Sequence, residues 1–473
     1  MKWLKLIYIF LTGLCLVPTL IVAQTINLDD FLNQLIETHP IFEKEKLSAE
    51  IEKEEQSSFL GDQDWNLFAS LTLRHEEPAI NFAGPERQQT VSAQGGIEKL
   101  FWTTGGRLSA SFTRSYVNLK INPLFGFPSN IFYNQLALSY IHPILRNKGG
   151  FLDKIQYDLK QYDINFSEVV AVEKLEEFLT NSADKYLDWV FLNEQKKIAI
   201  EREHLAEEEL ERTKKMRVSN LIDTVDVIRA QNAVGFAIQN LVLIESQWKG
   251  LQAELAELSQ NKNLSNLLPS FELYQTKDLG SLEEATAQIK EKSRLIEPLK
   301  IRIRQLELVR KGFEETSKPD LSAFAEIYLS KYDDVYIKSY GTDKPDARVG
   351  LRFNVPLRNR TSKHKIDKTV LQINQMKDEI NSITLNLTSA LSNLYIQINE
   401  LKQVLQLNQE QIKSAAKKTE EELNLYRKGR GQLTFVIQSR DEEERAKLLY
   451  AQNALTYHKL LLRLRFLMDE IYE

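Results

Sequence analysis

Two stretches of alternating apolar and polar residues, each set between long helical segments, constrain the fold of this chain most strongly. Residues 64–74 and 320–330 align without gaps. Every second residue is apolar in both stretches: Trp65, Leu67, Ala69, Leu71 and Leu73, then Leu321, Ala323, Ala325, Ile327 and Leu329. A period of two is typical of a β-strand with two different faces. The pattern therefore predicts two-faced strands inserted twice between helices.

The whole order of predicted elements, helix–strand–strand–helix–helix, occurs twice. Internal duplication is the economical explanation. The first repeat covers residues 24–265 with a β segment at 65–143, and the second covers 266–473 with a β segment at 320–356. The predicted helices are residues 28–60, 151–216, 224–261, 282–316, 363–426 and 433–471. The first half also contains a hairpin-like pair, residues 91–100 and 107–117, that has no counterpart in the second half.

The strands have the pattern of a membrane barrel wall. Val349, Leu351, Phe353 and Val355 alternate with Arg348, Gly350, Arg352 and Asn354. An apolar-out, polar-in alternation is the signature of a transmembrane β-barrel. A soluble sandwich strand whose polar face meets water gives the same pattern, so a single strand leaves both interpretations open.

The helix predicted from residue 363 shows heptad spacing, with apolar residues at Ile366, Ile373, Ile380, Leu387, Leu394 and Leu401. Such spacing is typical of coiled coils. At ~1.5 Å per residue this helix is on the order of 95 Å long, and it needs a partner of equal length, such as residues 151–216. Residues 381–399 carry no charge. A polar, uncharged helix face suits the wall of a water-filled duct or the solvated back of a coiled coil.

The N-terminus predicts export. Lys2 and Lys5 precede an apolar run that ends in Ala23-Gln24, which indicates a signal peptide (residues 1–23) cut after Ala23; an uncleaved anchor is the alternative. The only cysteine, Cys15, lies in this run, so the mature chain has no disulfide. No later apolar run reaches ~18 residues, which predicts no transmembrane helix. With 61 basic and 66 acidic residues, the chain has no basic excess for nucleic acid.

Residue patterns of an enzyme are absent from the sequence. The six histidines are scattered and form no zinc-protease motif. His204 with Glu207 and Glu208 could hold a metal on one helix face, but a solvated face is favoured because the surrounding run is dense in charge. We therefore predict no catalytic residues, no cofactor and no resident metal.

Four motifs carry a family resemblance. They are PILRN in residues 139–147, VPLRN in residues 349–359, TVDVIRAQ in residues 224–231 and YRKGRGQLTFVIQSR in residues 426–440. The chain resembles the TolC-like outer-membrane efflux protein family because these motifs occur in this order and lie within the duplicated order of elements.

The resemblance implies a homotrimer with a mixed, mostly α fold. Three chains share one outer-membrane β-barrel, which is continued by a long periplasmic α-helical barrel. The implied function is an exit duct of a tripartite efflux or type I secretion system, in contact with outer-membrane lipid. Its implied partners are a periplasmic adaptor (membrane fusion) protein and an inner-membrane transporter. Glu326, Arg348 and Arg352 are then expected in the barrel lumen.

The turns between the long helices lie at the periplasmic tip in this family. By that resemblance the tip and adaptor contact comprises Val218, Ser219, Asn220, Leu221, Gly429, Arg430, Gly431, Gln432 and Leu433. Many members place two aspartates one helical turn apart at a gate constriction, but the matching positions here are Phe435 and Gln438. Asp226 keeps an aspartate in the first half, although Asp223 and Asp226 also suit the start of a helix.

Two functions from different classes follow. The first is the outer-membrane exit duct. The second is a periplasmic coiled-coil scaffold or adhesin whose strands form a soluble β domain. The alternation in both halves favours the duct, and insertion of the strands into the outer membrane separates the two.

Overall fold

A computed structural model describes residues 24–77, 84–121, 126, 128–341 and 343–472. The signal peptide expected at residues 1–23 lies outside the described residues. The chain is mostly helical and has one large sheet, which confirms the predicted mixture of elements. The helices are α1 (Leu28–Thr38), α2 (Pro40–Ser58), α3 (Phe151–Val218), α4 (Thr224–Leu258), α5 (Leu282–Lys292), α6 (Glu297–Ser317), α7 (Arg360–Arg427) and α8 (Leu433–Leu467). The strands are β1 (Thr25–Asn27), β2 (Asn66–Glu76), β3 (Arg87–Phe101), β4 (Gly106–Lys120), β5 (Asn130–Pro143), β6 (Leu268–Ser270), β7 (Asp320–Asp333) and β8 (Lys344–Asn354).

Two helices predicted as continuous are interrupted. The first breaks between α1 and α2, where His39 has extended backbone angles (φ −80°, ψ 129°). Pro40 follows, and the residue before a proline is disfavoured in the helical region. The second breaks between α5 and α6, where Ser293 leaves the helical region and Pro298 stands in the first turn of α6. A proline fits the first turn because its missing N–H has no partner there anyway.

The long helices match their predicted bounds closely, because their apolar spacing is regular. α3 and α7 both have 68 residues, and α4 and α8 both have 35. Ile373 and Leu387 of the heptad row in α7 are buried, and so is a second row with the same spacing, at Leu391, Ile398 and Leu405. The internal duplication and its boundary near residue 265 stay predictions.

The chain divides into two compact units, and each draws segments from both predicted repeats. We call residues 24–40, 178–279 and 393–466 the helical unit, and residues 41–177, 280–392 and 467–472 the sheet unit. In the helical unit, β1 pairs in parallel with β6. The Tyr186 hydroxyl, which is fully buried, donates to the carbonyl oxygen of Ile26 (2.7 Å) and accepts from the amide of Ser270 (3.1 Å), so it ties the two short strands to α3.

The sheet unit contains a six-stranded antiparallel sheet in the order β2-β3-β4-β5-β7-β8. The hairpin predicted without a counterpart in the second half is β3–β4. It turns at residues 102–105, where Gly105 has a φ of 70°. It lies inside the sheet between β2 and β5, whereas the sequence alone did not show whether it joins the other strands.

One described helix, α4, has the length and composition to cross a membrane. An 18-residue window of α4 reaches a mean hydropathy of 1.3, and only 17% of that window is buried. The sequence-based expectation of no such segment was therefore too strict. It relied on consecutive apolar residues, whereas α4 interrupts them with Gln231, Asn232 and Gln239.

Candidate functional site

The two faces of the six-stranded sheet differ in chemistry along its whole width. Successive side chains of a strand point to opposite faces, so residues in register form rows across the sheet. One apolar row crosses all six strands: Leu67, Ile97, Ala110, Leu138, Ile327 and Ala347. A polar row crosses the opposite face: Ser70, Gln94, Thr113, Gln135, Ser330 and Lys344. We call these the apolar face and the polar face.

The apolar face is open to its surroundings in this chain. A second row on it reads Ala69, Gly95, Phe112, Leu136, Leu329 and Pro345. Leu67, Ile97, Leu138 and Ile327 of the first row are all exposed, as are Phe112 and Leu136 of the second. An exposed apolar surface that spans a whole sheet needs an apolar environment.

The three predicted lumen residues lie together on the polar face. Glu326 stands directly opposite Arg348 in the register of β7 and β8. The Tyr328 hydroxyl donates to Glu326 Oε2 (2.9 Å), and the Arg348 guanidinium lies 5.2 Å from the centre of the Tyr328 ring. Arg352 is on the same face of β8 and lies over the Phe324 ring. The polar face therefore carries both signs of charge at β7–β8.

Sequence reasoning missed a polar and aromatic cluster around Arg114 on the apolar face. Arg114 donates to Asn134 Oδ1 (2.6 Å), and the buried Asn134 amide donates to the carbonyl oxygen of Ser339 (2.7 Å). The guanidinium also lies 4.7 Å and 4.4 Å from the ring centres of Tyr336 and Tyr340. The β7–β8 loop thus covers the end of the apolar rows on β4 and β5. The available signal was Arg114 itself, which interrupts the apolar alternation of β4.

The predicted tip residues form two turns of the same design in the helical unit. Asn220 (φ 54°) ends α3 and Gly429 (φ 70°) ends α7, both in the left-handed region. In each turn the next amide reaches back five residues: Leu221 N–H donates to Met216 O (3.0 Å) and Arg430 N–H to Leu425 O (2.9 Å). This is the Schellman pattern of helix ends, which favours glycine or asparagine at the left-handed position.

The turns present most of the predicted contact residues to the surroundings. The exposed ones are Val218, Ser219, Asn220, Leu221, Gly429, Arg430 and Gln432, whereas Gly431 is half-buried. Leu433 is 1% exposed and packs in a core cluster with Ala230, Leu423, Tyr426 and Val436. Its side chain therefore supports the turn from inside.

The predicted gate residues occupy two helices. Phe435 is 49% exposed and Gln438 is exposed, so both lie on the outer face of α8, opposite the buried Leu433 and Val436. Asp226 is half-buried in the first turn of α4, and its carboxylate accepts from Arg229 at 3.0 Å. That ion pair and its place in the first turn fit the helix-start interpretation, because the helix dipole favours an acidic residue there.

A different acidic group lies in the sheet unit. Carboxylate oxygens of Glu173, Glu176 and Asp469 all lie within 4.8 Å of one another. Arg294 contacts them, with Nε 3.2 Å from Glu173 and 3.8 Å from Asp469, and a short contact to Glu176. Burial, followed by the charge of Asp469, raises the pKa of Glu173 to about 7. Because a guanidinium already occupies the centre, we interpret the group as a structural ion cluster and not as a metal site.

The helix site considered for a metal in the sequence has an ordinary geometry. His204 Nδ1 lies 3.8 Å from Glu208 Oε1, and both side chains are more than half exposed. This arrangement fits a solvated helix face.

Sequence comparison finds no matching protein-family model and no matching curated protein. Solved structures, however, are similar over nearly the whole chain. The outer-membrane channel OprN has a TM-score of 0.67 at 11% identity, with 94% of this chain and 90% of that chain covered. The outer membrane protein VceC from Vibrio cholerae has a TM-score of 0.65 at 11% identity (94% and 95% covered). The MtrE outer membrane channel of Neisseria gonorrhoeae has 0.65 at 12% (94% and 89%). The predicted TolC-like resemblance is therefore confirmed at the level of the fold.

Proposed function

We propose that this chain is an outer-membrane exit duct. The observation that carries the proposal is the pair of opposed faces on the six-stranded sheet, one apolar and exposed, the other polar and charged. In lipid, only helices and closed barrels satisfy every backbone hydrogen bond. A sheet with one continuous apolar face therefore suits a barrel wall, with lipid outside and water inside. Export through the predicted signal peptide agrees with this location.

Barrel closure is proposed through a homotrimer. β2 and β8 are the two edge strands of the sheet. Neighbouring strands alternate in direction and four strands lie between these two, so β2 and β8 run antiparallel to each other. Both have 11 residues. Pairing of β2 with β8 of the next copy would satisfy the open edges and continue the apolar face, since an unpaired edge strand is a ready template for another chain. Glu326, Arg348 and Arg352 would then line the lumen.

The helical unit is proposed as the periplasmic part of the duct. The part of the uncharged α7 segment that lies in the helical unit exposes Asn393 and Asn399. A neutral polar wall binds passing solutes weakly, because it offers hydrogen bonds without fixed charge. The exposed residues of the two turns would contact a periplasmic adaptor protein, which would link the duct to an inner-membrane transporter in a tripartite efflux or type I secretion system. No catalytic step and no cofactor is required of such a duct.

The first test is the behaviour of the mature protein in cell fractions. We expect it in the outer-membrane fraction, extracted only by detergent, with the mass of a trimer by light scattering corrected for bound detergent. A water-soluble monomer or dimer would contradict the duct and would favour the periplasmic scaffold or adhesin. The matched control is a known soluble periplasmic protein from the same cells.

The gate is tested through ion selectivity. We propose that Phe435 forms a hydrophobic constriction at the position where many members of the TolC-like family, by the resemblance, place an aspartate. In planar bilayers, Phe435→Asp should increase cation over anion permeability several-fold, whereas Phe435→Leu should leave the ratio unchanged. The proposed gate is wrong if Phe435→Asp does not change the ratio while Arg348→Ala, on the polar face, does.

A further inference from the structure

The hairpin β3–β4 extends the sheet without a defect. β3 pairs with β4 over its whole length, from Arg87 opposite Lys120 to Phe101 opposite Gly106. β2 pairs with β3 along all 11 of its residues, and β5 pairs with β4 from Asn118 to Arg107. A flap attached to the outside of a wall would leave β2 and β5 paired with each other. Here the hairpin separates them.

Both faces of the hairpin continue the faces of the sheet. Its apolar side carries Val91, Ile97, Ala110 and Phe112, in register with apolar residues of β2 and β5. Its polar side carries mostly uncharged residues, which along the two strands are Thr90, Ser92, Gln94, Ser109, Ser111, Thr113 and Ser115, together with the charged Glu98 and Arg107 near the β3–β4 turn. The hydroxyls of Ser92 and Ser115 are 2.8 Å apart and hydrogen-bond across the pair. The hairpin therefore adds two strands with the same apolar and polar faces as the rest of the sheet.

We propose that this hairpin widens the duct, an inference that rests on the trimeric barrel proposed above. Three copies of six strands give an 18-stranded barrel, whereas two strands from each half would give a 12-stranded barrel. With strands ~4.8 Å apart and tilted by ~40°, the backbone diameter is roughly 36 Å for 18 strands and roughly 24 Å for 12. The backbone cross-section is therefore roughly doubled.

The added wall determines which solutes the barrel suits. Most residues on the polar side of the hairpin are short hydroxyl-bearing side chains, with Glu98 and Arg107 confined to the end near the β3–β4 turn, while β7–β8 supplies Glu326, Arg348 and Arg352. Short side chains leave most of the extra diameter open. A lumen of this width admits solutes wider than a single α-helix, which is about 10–12 Å across. The barrel is therefore wide enough for bulky solutes, including a polypeptide that keeps helical structure, as well as for small molecules.

Paired cysteine variants test whether the hairpin is part of the wall. Cys15, the only cysteine of the sequence, lies in the predicted signal peptide, so each introduced cysteine is unique in the mature chain. Ala110→Cys and Ser111→Cys place it on the apolar and polar sides of β4; Leu329→Cys and Ser330→Cys are the matched pair on β7. In lipid nanodiscs, a water-soluble maleimide should label Ser111→Cys and Ser330→Cys at least ten-fold faster than their neighbours. A fluorophore at Ala110→Cys or Leu329→Cys should be quenched by nitroxide lipids.

The outcomes separate the two proposals. If the β7 pair alternates but both β4 positions react equally fast, the hairpin stands outside the wall and the wide barrel is refuted, while the duct stands. If neither pair alternates, there is no barrel and both proposals fail. The strand count in an electron cryomicroscopy map of the intact trimer gives an independent answer: 18 strands are expected, and 12 would overturn the inference. Deletion of residues 87–120 keeps β2 and β5 antiparallel and should reduce the cross-section about two-fold.

Discussion

Arg294 holds the sheet unit together at a point where three distant segments meet. Its guanidinium contacts Glu173 and Glu176 of α3 and Asp469 near the C-terminus. It also donates to the carbonyl oxygen of Tyr472 (2.8 Å). Its side chain is 23% exposed and that of Glu176 is fully buried. Arg294→Met removes the cation and leaves three carboxyl groups within 4.8 Å of one another. Loss of one partner of a buried ion pair costs about 3–5 kcal/mol in the free energy of unfolding.

The pKa shifts of the three carboxyl groups determine whether Arg294→Met destabilises the protein more at low pH or at high pH. Burial raises the pKa of Glu173 to about 7 from 4.5, so the folded state binds more protons than the unfolded state between these values. The contribution of Glu173 to stability therefore falls as pH rises from 4.5 to 7 and stays low above pH 7. Burial also raises the pKa of Glu176 and of Asp469. Without Arg294 all three carboxyls resist ionisation more strongly. The loss caused by Arg294→Met is consequently larger at pH 8 than at pH 5.

The assay is thermal unfolding of the detergent-solubilised protein, followed by far-ultraviolet circular dichroism at pH 5 and pH 8. At about 2–4 °C per kcal/mol, Arg294→Met should lower Tm by at least ~6 °C at pH 8. The matched control is Arg304→Met on α6, whose ion pair with Glu297 (2.8 Å) is exposed. Exposed pairs contribute about 0–1 kcal/mol, so its Tm should shift little. Equal shifts for the two variants at pH 8, or a larger Arg294→Met shift at pH 5, would refute this account of the cluster.

Three further predictions concern the helical unit. Gly429→Ala should destabilise the protein by about 1–2 kcal/mol because φ is 70° there, whereas Gly250→Ala inside α4 should stabilise it by about 0.5–1 kcal/mol. The structure has open space around both new Cβ atoms, with nothing within 4 Å, so the difference has to come from the backbone. If chemical denaturation gives both variants a change of the same sign, this explanation is wrong. Tyr186→Phe should cost about 1–3 kcal/mol, since the buried carbonyl of Ile26 and the partly buried amide of Ser270 lose their partner. Unchanged hydrogen exchange at the Ser270 amide would contradict this expectation. Burial lowers the pKa of His458, so the contribution of His458 to stability should fall as pH drops below about 6.5, opposite in sign to that of Glu173. The difference in stability between the unmodified protein and His458→Gln should therefore change with pH, and a difference that is independent of pH would contradict this role of His458.

The local patterns of the sequence were sufficient to predict the elements and their faces. Alternation placed Leu67 and Ile327 on one face, and the register aligns them in a single row. The predicted bounds of α3 and α7 agree with the observed ones within a few residues, and heptad spacing predicted the long helix α7. These features depend on residues close together in the chain, since a period of two or of seven is read within one strand or helix.

The tertiary structure decided what distant segments do to each other. The position of the hairpin β3–β4 inside the sheet follows only from its pairing with β2 and β5. The sequence could not show this, because β3 and β4 would pair with each other equally well outside the sheet. The covering of Arg114 by the loop at Tyr336, and the meeting of Arg294 with Asp469, join residues more than 170 positions apart. Leu433 was predicted as a surface contact and is buried, since the turn that exposes its neighbours directs it into the core. Such contacts are properties of packing between elements, and no periodicity along the chain encodes them.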